Sequence, residues 1–163
     1  MESLNDYMNE YKKQVAKGAI IEAYRGLMEY IMDLRTHLKN QYPDYFVSGI
    51  YYGYMDMTYF SFYPVSIKDR NLKIAIVFIH NKCRFEVWLA GSNKTVQQKY
   101  WKLFKESDWK RYPIVPNPKE VDAIVEHVLV DQPDFRDLEA LTKQIERETL
   151  IFIQDVESFL STH

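Results

Sequence analysis

Asp56, Glu86 and Lys73 are the residues of this 163-residue chain whose types most suggest chemistry. Two carboxylates brought side by side offer hard oxygen ligands to Mg²⁺ or Mn²⁺. A lysine next to them can steady developing negative charge while the metal activates a water for phosphodiester hydrolysis. Asp56 sits in GIYYGYMDMTYFSFYP, residues 49–64, where five of sixteen residues are Tyr; Glu86 sits in RFEVWLAG, residues 84–91. The structural alternative is that Glu86 pairs with Arg84 or Lys73 while Asp56 accepts backbone amides or a Tyr hydroxyl. Buried acids persist as paired or hydrogen-bonded groups, so this alternative has the greater weight.

In placing an acid on one strand before an acid on the next, the layout faintly resembles the restriction-endonuclease-like superfamily. It departs from that pattern at Glu86-Val87-Trp88, where Trp stands in place of the lysine, so Lys73 on a neighbouring strand would have to substitute. His80 and Cys83 flank a turn, but a zinc site needs three or four ligands, and His37, His127 and His163 are scattered. No nucleophile signature surrounds Cys83, which alternation assigns to the apolar sheet face. Gly91-Ser92-Asn93-Lys94 enters a helix; ordinary capping accounts for it, with anion binding at the helix start as the sharper option. Lys94, Gln98, Lys102 and Lys105 share one side of that helix, near Lys99, Lys110 and Arg111. This is a solvated lysine face or, as a second alternative, a nucleic-acid surface, and nucleic acid is the disfavoured partner.

The elements that must position these groups follow from periodicity. Leu4, Tyr7, Met8, Tyr11 and Val15 recur at helical steps, and Gly18 ends that run. Ile20, Tyr24, Leu27, Ile31, Leu34 and Leu38 stripe a second helix that stops before Tyr42-Pro43, giving a helical hairpin. Residues 46–63 and 72–90 are rich in aromatic and β-branched types and read as strands, with Pro64 to Asn71 a polar loop. After Ser92 or Asn93 a helix carries Val96, Tyr100, Trp101, Leu103 and Phe104 on one face. Asn117, Pro118 and Glu120 form a capping pattern ahead of Val121, Ile124, Val125, Val128 and Leu129, predicting a further helix that Pro133 breaks. The last helix spans about Phe135 to Leu160, with Thr149 the one polar residue in its seam. The order predicts a single α+β domain over residues 1–163: two N-terminal helices, an antiparallel sheet of three or four strands, and three C-terminal helices.

Asn81-Lys82 fits a two-residue hairpin turn, and that turn fixes the pairing of its flanks. His80 then faces Cys83, Ile79 faces Arg84, Val77 faces Glu86 and Ala75 faces Trp88. One face holds Leu72, Ile74, Ile76, Phe78, Phe85, Val87 and Leu89 and must be core. The other mixes Lys73, Arg84, Glu86 and Trp88 with small and aliphatic residues. Placing Met55 and Met57 on the apolar face sends Asp56 and Thr58 to the mixed face, beside Glu86 and Arg84; a slip of one residue reverses this. The site expected is a pocket between the mixed face and covering helices. Tyr52, Tyr54, Asp56, Arg84, Glu86 and Trp88 line it, with Asn93 and Lys94 at its rim.

Composition supports an ordinary soluble chain, with 47% hydrophobic and 27% charged residues. No 18-residue apolar run exists, so no membrane span is expected. The start lacks a secretory pattern and a lone cysteine excludes an internal disulfide, which together predict a reducing cytoplasm. Charge is uneven: Lys68 to Arg111 holds eleven Lys/Arg against four Asp/Glu, and Ile114 to His163 four against eleven. The two stretches neutralise each other or form neighbouring basic and acidic faces.

GYMDMTYFSF (53–62), LKIAIVFIH (72–80), RFEVWLAGSNKTVQQKYW (84–101) and PDFRDLEALTKQIE (133–146) resemble a family of small prokaryotic proteins known only as a domain of unknown function. The likeness extends to the N-terminal YKKQVAKGAIIEAYRGLM. It implies a stand-alone cytoplasmic protein and brings no activity, cofactor or assigned residue. The function expected is a module binding a small molecule or a protein, without a cofactor. A Mg²⁺- or Mn²⁺-dependent nuclease or phosphodiesterase is the alternative, and an exposed Tyr patch or helix seam would suit a homodimer.

Overall fold

The computed structural model describes residues 3–163, which fall into two compact units, one ending at His37 and one running from Leu38 to His163. In the first, helix α1 spans Leu4–Lys17. Ser3 caps it reciprocally: the Ser3 hydroxyl accepts the Asp6 amide at 3.2 Å, and the Asp6 carboxylate accepts the Ser3 amide at 2.9 Å. Gly18, at φ +84°, ends it in the left-handed conformation, and its amide donates to the Val15 carbonyl. Helix α2, Ala19–Gln41, begins at the next residue and crosses into the second unit. A one-residue link is too short for a helical hairpin, whose loops take two to five residues. The expected hairpin therefore does not close, and α1 buries no residue.

The second unit is built on a five-stranded antiparallel sheet in the order β1-β2-β3-β4-β5: Phe46–Val47, Met57–Tyr63, Leu72–Ile79, Arg84–Gly91 and Val125–Val130. A single helical turn, α3 (Val65–Lys68), lies in what was expected to be plain loop. Helix α4 is Lys94–Glu106, capped by the Asn93 side chain, which accepts the Val96 amide at 2.9 Å. Helix α5 is Leu138–Ser161, starting slightly later than expected because Asp137 caps it through the Ala140 amide. The chain is thus α+β as predicted, with five strands rather than three or four, and two long C-terminal helices rather than three.

The missing helix became β5. Asn117 does organise a turn, its side chain accepting the Lys119 amide at 3.0 Å and its carbonyl the Glu120 amide at 3.2 Å. Downstream, the β-branched run VEHVLV pairs with the free edge of β4 instead of coiling, and buries Val125, Leu129 and Val130. The capping pattern was real, but the β-branched residues after it pack better on a pleated sheet than in a helix.

The β3–β4 hairpin has the predicted register in full, from Leu72 opposite Gly91 to Ile79 opposite Arg84. Strand β2 is displaced by one residue from expectation. Thr58 pairs with Phe78 and Phe60 with Ile76, so Thr58, Phe60 and Phe62 face the core, whereas Met57, Tyr59 and Ser61 take the mixed face. Filling the core with two phenylalanines, both almost wholly buried, outweighs burying methionines there. Cys83 is also corrected: it is exposed, in the turn, at φ +51°.

Helix α5 covers the apolar face. Phe152 stacks parallel to His127 on β5, and Glu146 accepts the hydroxyl of Tyr42, whose ring meets Phe62 edge-on. Helix α4 joins this layer through Phe104, stacked on Phe159 at 4.4 Å. Within the second unit α4 and α5 thus pack against each other, while Asn93, Lys94 and Gln97 at the start of α4 border the mixed face.

Candidate functional site

Asp56 lies before β2, not on it. Its carboxylate accepts the Tyr54 amide at 2.9 Å, and the Tyr54 and Met57 amides hold its pKa below the usual carboxylate range. Gly53, at φ +73°, makes this turn possible, because a Cβ there would run into the Met57 carbonyl and the Asp56 side chain. The Asp56 carbonyl accepts the His80 amide at 3.0 Å, tying the turn to the end of β3. Tyr52 and Tyr54 belong to the same excursion; they are 48% and 91% exposed.

Glu86 is the acid that meets the cation. It is 5% exposed, and its two oxygens are separately occupied: one accepts Arg84 Nε at 2.8 Å, the other Trp88 Nε1 at 2.8 Å. Arg84 also reaches Asp131 at 3.2 Å, and Glu86 before Asp131 raises the pKa of the guanidinium. Neighbouring Glu126, cross-strand from Trp88, has its carboxyl pKa raised by burial and then by the Glu86 charge. Asp56 and Glu86 do not form a pair, and among the described residues no cluster of three His, Cys, Asp or Glu could hold a metal ion. His80 does not join Cys83 in a site either: its Nε2 lies 2.8 Å from the Thr58 hydroxyl.

What the mixed face does form is a pocket of about 460 Å³. Register explains its floor. Ser61, Ala75 and Trp88 are cross-strand neighbours in one row, and Lys73 and Ala90 pair in the next. Small side chains at Ser61, Ala75 and Ala90 keep the floor low while Trp88 rises beside it. Tyr59, one row away opposite Val77, stands against Tyr51 at a ring separation of 5.0 Å, forming a second wall. The Tyr51–Tyr59 backbone bridge, with amide–carbonyl distances of 2.8 and 2.9 Å, holds that wall in place. The Glu86 carboxylate in turn fixes the Trp88 indole, so the network that resembled a reactive site serves to orient a wall.

The rim comes from the start of α4 and the segment before β5. Buried Gln97 joins them: its amide nitrogen donates to the Pro118 and Val121 carbonyls at 2.8 and 2.9 Å, and its oxygen accepts the Gly91 amide at 3.3 Å. Gly91 must be glycine for this approach, since a Cβ would strike the Gln97 backbone. Lys94 and Asp122, one from each rim segment, meet at 2.9 Å over the opening. Burial, then the Tyr51 and Asp122 charges, raise the pKa of the Tyr59 hydroxyl.

Of the residues singled out from sequence, Trp88, Asn93, Lys94 and Lys73 line this pocket, and Tyr52, Tyr54, Asp56, Arg84 and Glu86 do not. Tyr51, Tyr59 and Ser61 escaped notice because the β2 register was misplaced, and Asp122 because its segment was read as helix. Ala75 was legible: the hairpin pairing already set it beside Trp88. On α4, Lys94 pairs with Asp122, Lys102 stands 4.0 Å from Glu106, and Arg111 past its end pairs with Asp155 at 3.3 Å. Tyr100 and Phe104 are buried, so these two rings offer no surface for stacking bases.

An antiparallel meander with helices layered on one face and an aromatic, lysine-rimmed pocket on the other defines an α+β protein with a candidate small-molecule site. The chain belongs to the family described as a domain of unknown function (DUF7000), which it matches over residues 4–160. No curated protein and no solved structure matches it. No helix among the described residues is long and apolar enough to cross a membrane.

Proposed function

We propose that the protein is a binding module that holds a small organic ligand in the pocket on its mixed sheet face, between Trp88 and the Tyr51–Tyr59 pair. The observation that carries this reading is the pocket itself. Its volume, about 460 Å³, falls in the roughly 300–1,000 Å³ range of small-molecule sites, and its aromatic walls with a few polar groups are their usual lining. The walls are pre-set, by Glu86 on the Trp88 indole and by the Tyr51–Tyr59 bridge, which lowers the entropy lost on binding. Metal-dependent hydrolysis through Asp56 and Glu86 is the weaker reading, because Glu86 is committed to Arg84 and Trp88.

The test compares wild type with Ala75→Trp, which fills the floor from an outward-facing position. A small-molecule fraction of cell lysate should raise the melting temperature of the wild type and leave that of Ala75→Trp unmoved, because a ligand stabilises only the form that binds it. Equal shifts in both, or none in the wild type, would contradict the proposal.

A further inference from the structure

The two lysines of the pocket differ in a way that points to the class of ligand. Lys94 is neutralised by Asp122 at 2.9 Å across the rim. Lys73, exposed on β3 opposite Ala90, makes no ion pair among the described residues and stands at the edge of the same floor. Lys73 and Ala90 form the row next to the one that holds Ser61, Ala75 and Trp88, so the floor beside Lys73 is a strip of small side chains, Ala90, Ala75 and Ser61. A planar ring can lie on that strip against Trp88 and the Tyr51–Tyr59 wall. A group attached to it on the β3 side reaches the Lys73 ammonium, with Ser61 and Asn93 as further polar contacts in the pocket.

We infer that the ligand is a planar ring bearing an anionic group, the ring held by Trp88 with the Tyr51–Tyr59 pair and the anion by Lys73. This rests on the small-ligand reading of the pocket and narrows it. A desolvated ring gains from aromatic contact on two sides. An ammonium with no competing carboxylate is free to meet an anion, and a charge-assisted hydrogen bond is about twice as strong as a neutral one. Asp122 acts in the opposite sense. Its carboxylate holds Lys94 and repels an anion at the rim, so it limits the charge the site accepts to what Lys73 can balance.

Four probes separate the possibilities: adenosine 5′-monophosphate with adenosine, and indole-3-acetate with indole-3-ethanol. Calorimetric titration should show the anionic member of at least one pair binding about tenfold more tightly than its neutral partner, the size of one charge-assisted contact. The pair that shows the preference tells whether the anion is a phosphate or a carboxylate. Lys73→Met should abolish the preference, bringing the anionic member down to the affinity of its neutral partner, and Asp122→Asn should strengthen anion binding several-fold. Equal binding of neutral and anionic members, or a preference that survives Lys73→Met, would overturn the inference and leave the pocket reading standing. Binding by none of the four also overturns it. In that case the Ala75→Trp comparison against the lysate fraction decides separately whether the pocket binds anything.

Discussion

Thr58 and His80 fix each other across the end of the sheet. The Thr58 hydroxyl gives its one proton to the Tyr52 carbonyl at 2.7 Å, so the His80 Nε2 at 2.8 Å must be the donor to its oxygen. That assigns the proton of the neutral ring to Nε2. Burial lowers the His80 pKa despite the opposing Asp56 charge, and burial likewise lowers that of His127 despite Glu148. With folded values below the unfolded value of about 6.5, the unfolded chain binds more protons. Stability is therefore full above that value and falls as pH drops through it toward the folded values. The urea midpoint of His80→Gln should fall less than that of wild type between pH 7.5 and 5.5; identical falls would contradict a lowered His80 pKa.

Glu86 is predicted to matter for stability. Glu86→Ala removes the partner of both Arg84 and the Trp88 indole. Because Arg84 keeps Asp131, the cost falls at the low end for a broken buried pair, about 3 kcal/mol by urea denaturation. Glu86→Gln keeps the shape and removes the charge. The Glu126 carboxyl, raised by burial and by that charge, should then titrate at lower pH when followed by carbon NMR. An unmoved Glu126 would show that burial alone sets its value.

Gln97 joins β4, α4 and the segment carrying Asp122. Gln97→Leu leaves the Pro118 and Val121 carbonyls without their donor, at a cost of about 2 kcal/mol. Hydrogen exchange should rise selectively across residues 116–123. Uniform protection there would show that the rim does not depend on Gln97.

The seam of α5 contains the opposite case. Thr149 is wholly buried, and its hydroxyl has no hydrogen-bond partner among the described residues. Thr149→Val keeps the β-branched shape and removes the unsatisfied group, so it should stabilise the protein by about 1 kcal/mol, read as a higher urea midpoint. A loss of stability would mean that the hydroxyl has a role the packing does not reveal.

Local chemistry made some of this fold readable from the chain. Asn81-Lys82 dictated the whole β3–β4 register, Gly18 the end of α1, and Asn93 the start of α4. Non-local competition hid the rest. Nothing near residues 121–130 reveals that the edge of β4 is free to take a strand, and helical and strand spacing both fit so short a β-branched run. The β2 register depended on which side chains the core has room for, and Phe60 and Phe62 decided it against Met57. The pocket was half visible: Trp88 and Lys73 stood on the predicted mixed face. The Tyr51–Tyr59 wall needed the correct register, and Asp122 the correct element. Asp56 drew attention by its isolation among aromatics, and that isolation reflects a turn its carboxylate closes.

The most direct test of a ligand-holding sheet face is native mass spectrometry of the gently purified protein beside Ala75→Trp. The wild type should carry a non-covalent mass of a few hundred daltons that is lost on activation, and the variant should fly without it. The same adduct on both proteins, or a bare wild type that the lysate fraction cannot load, would contradict the account.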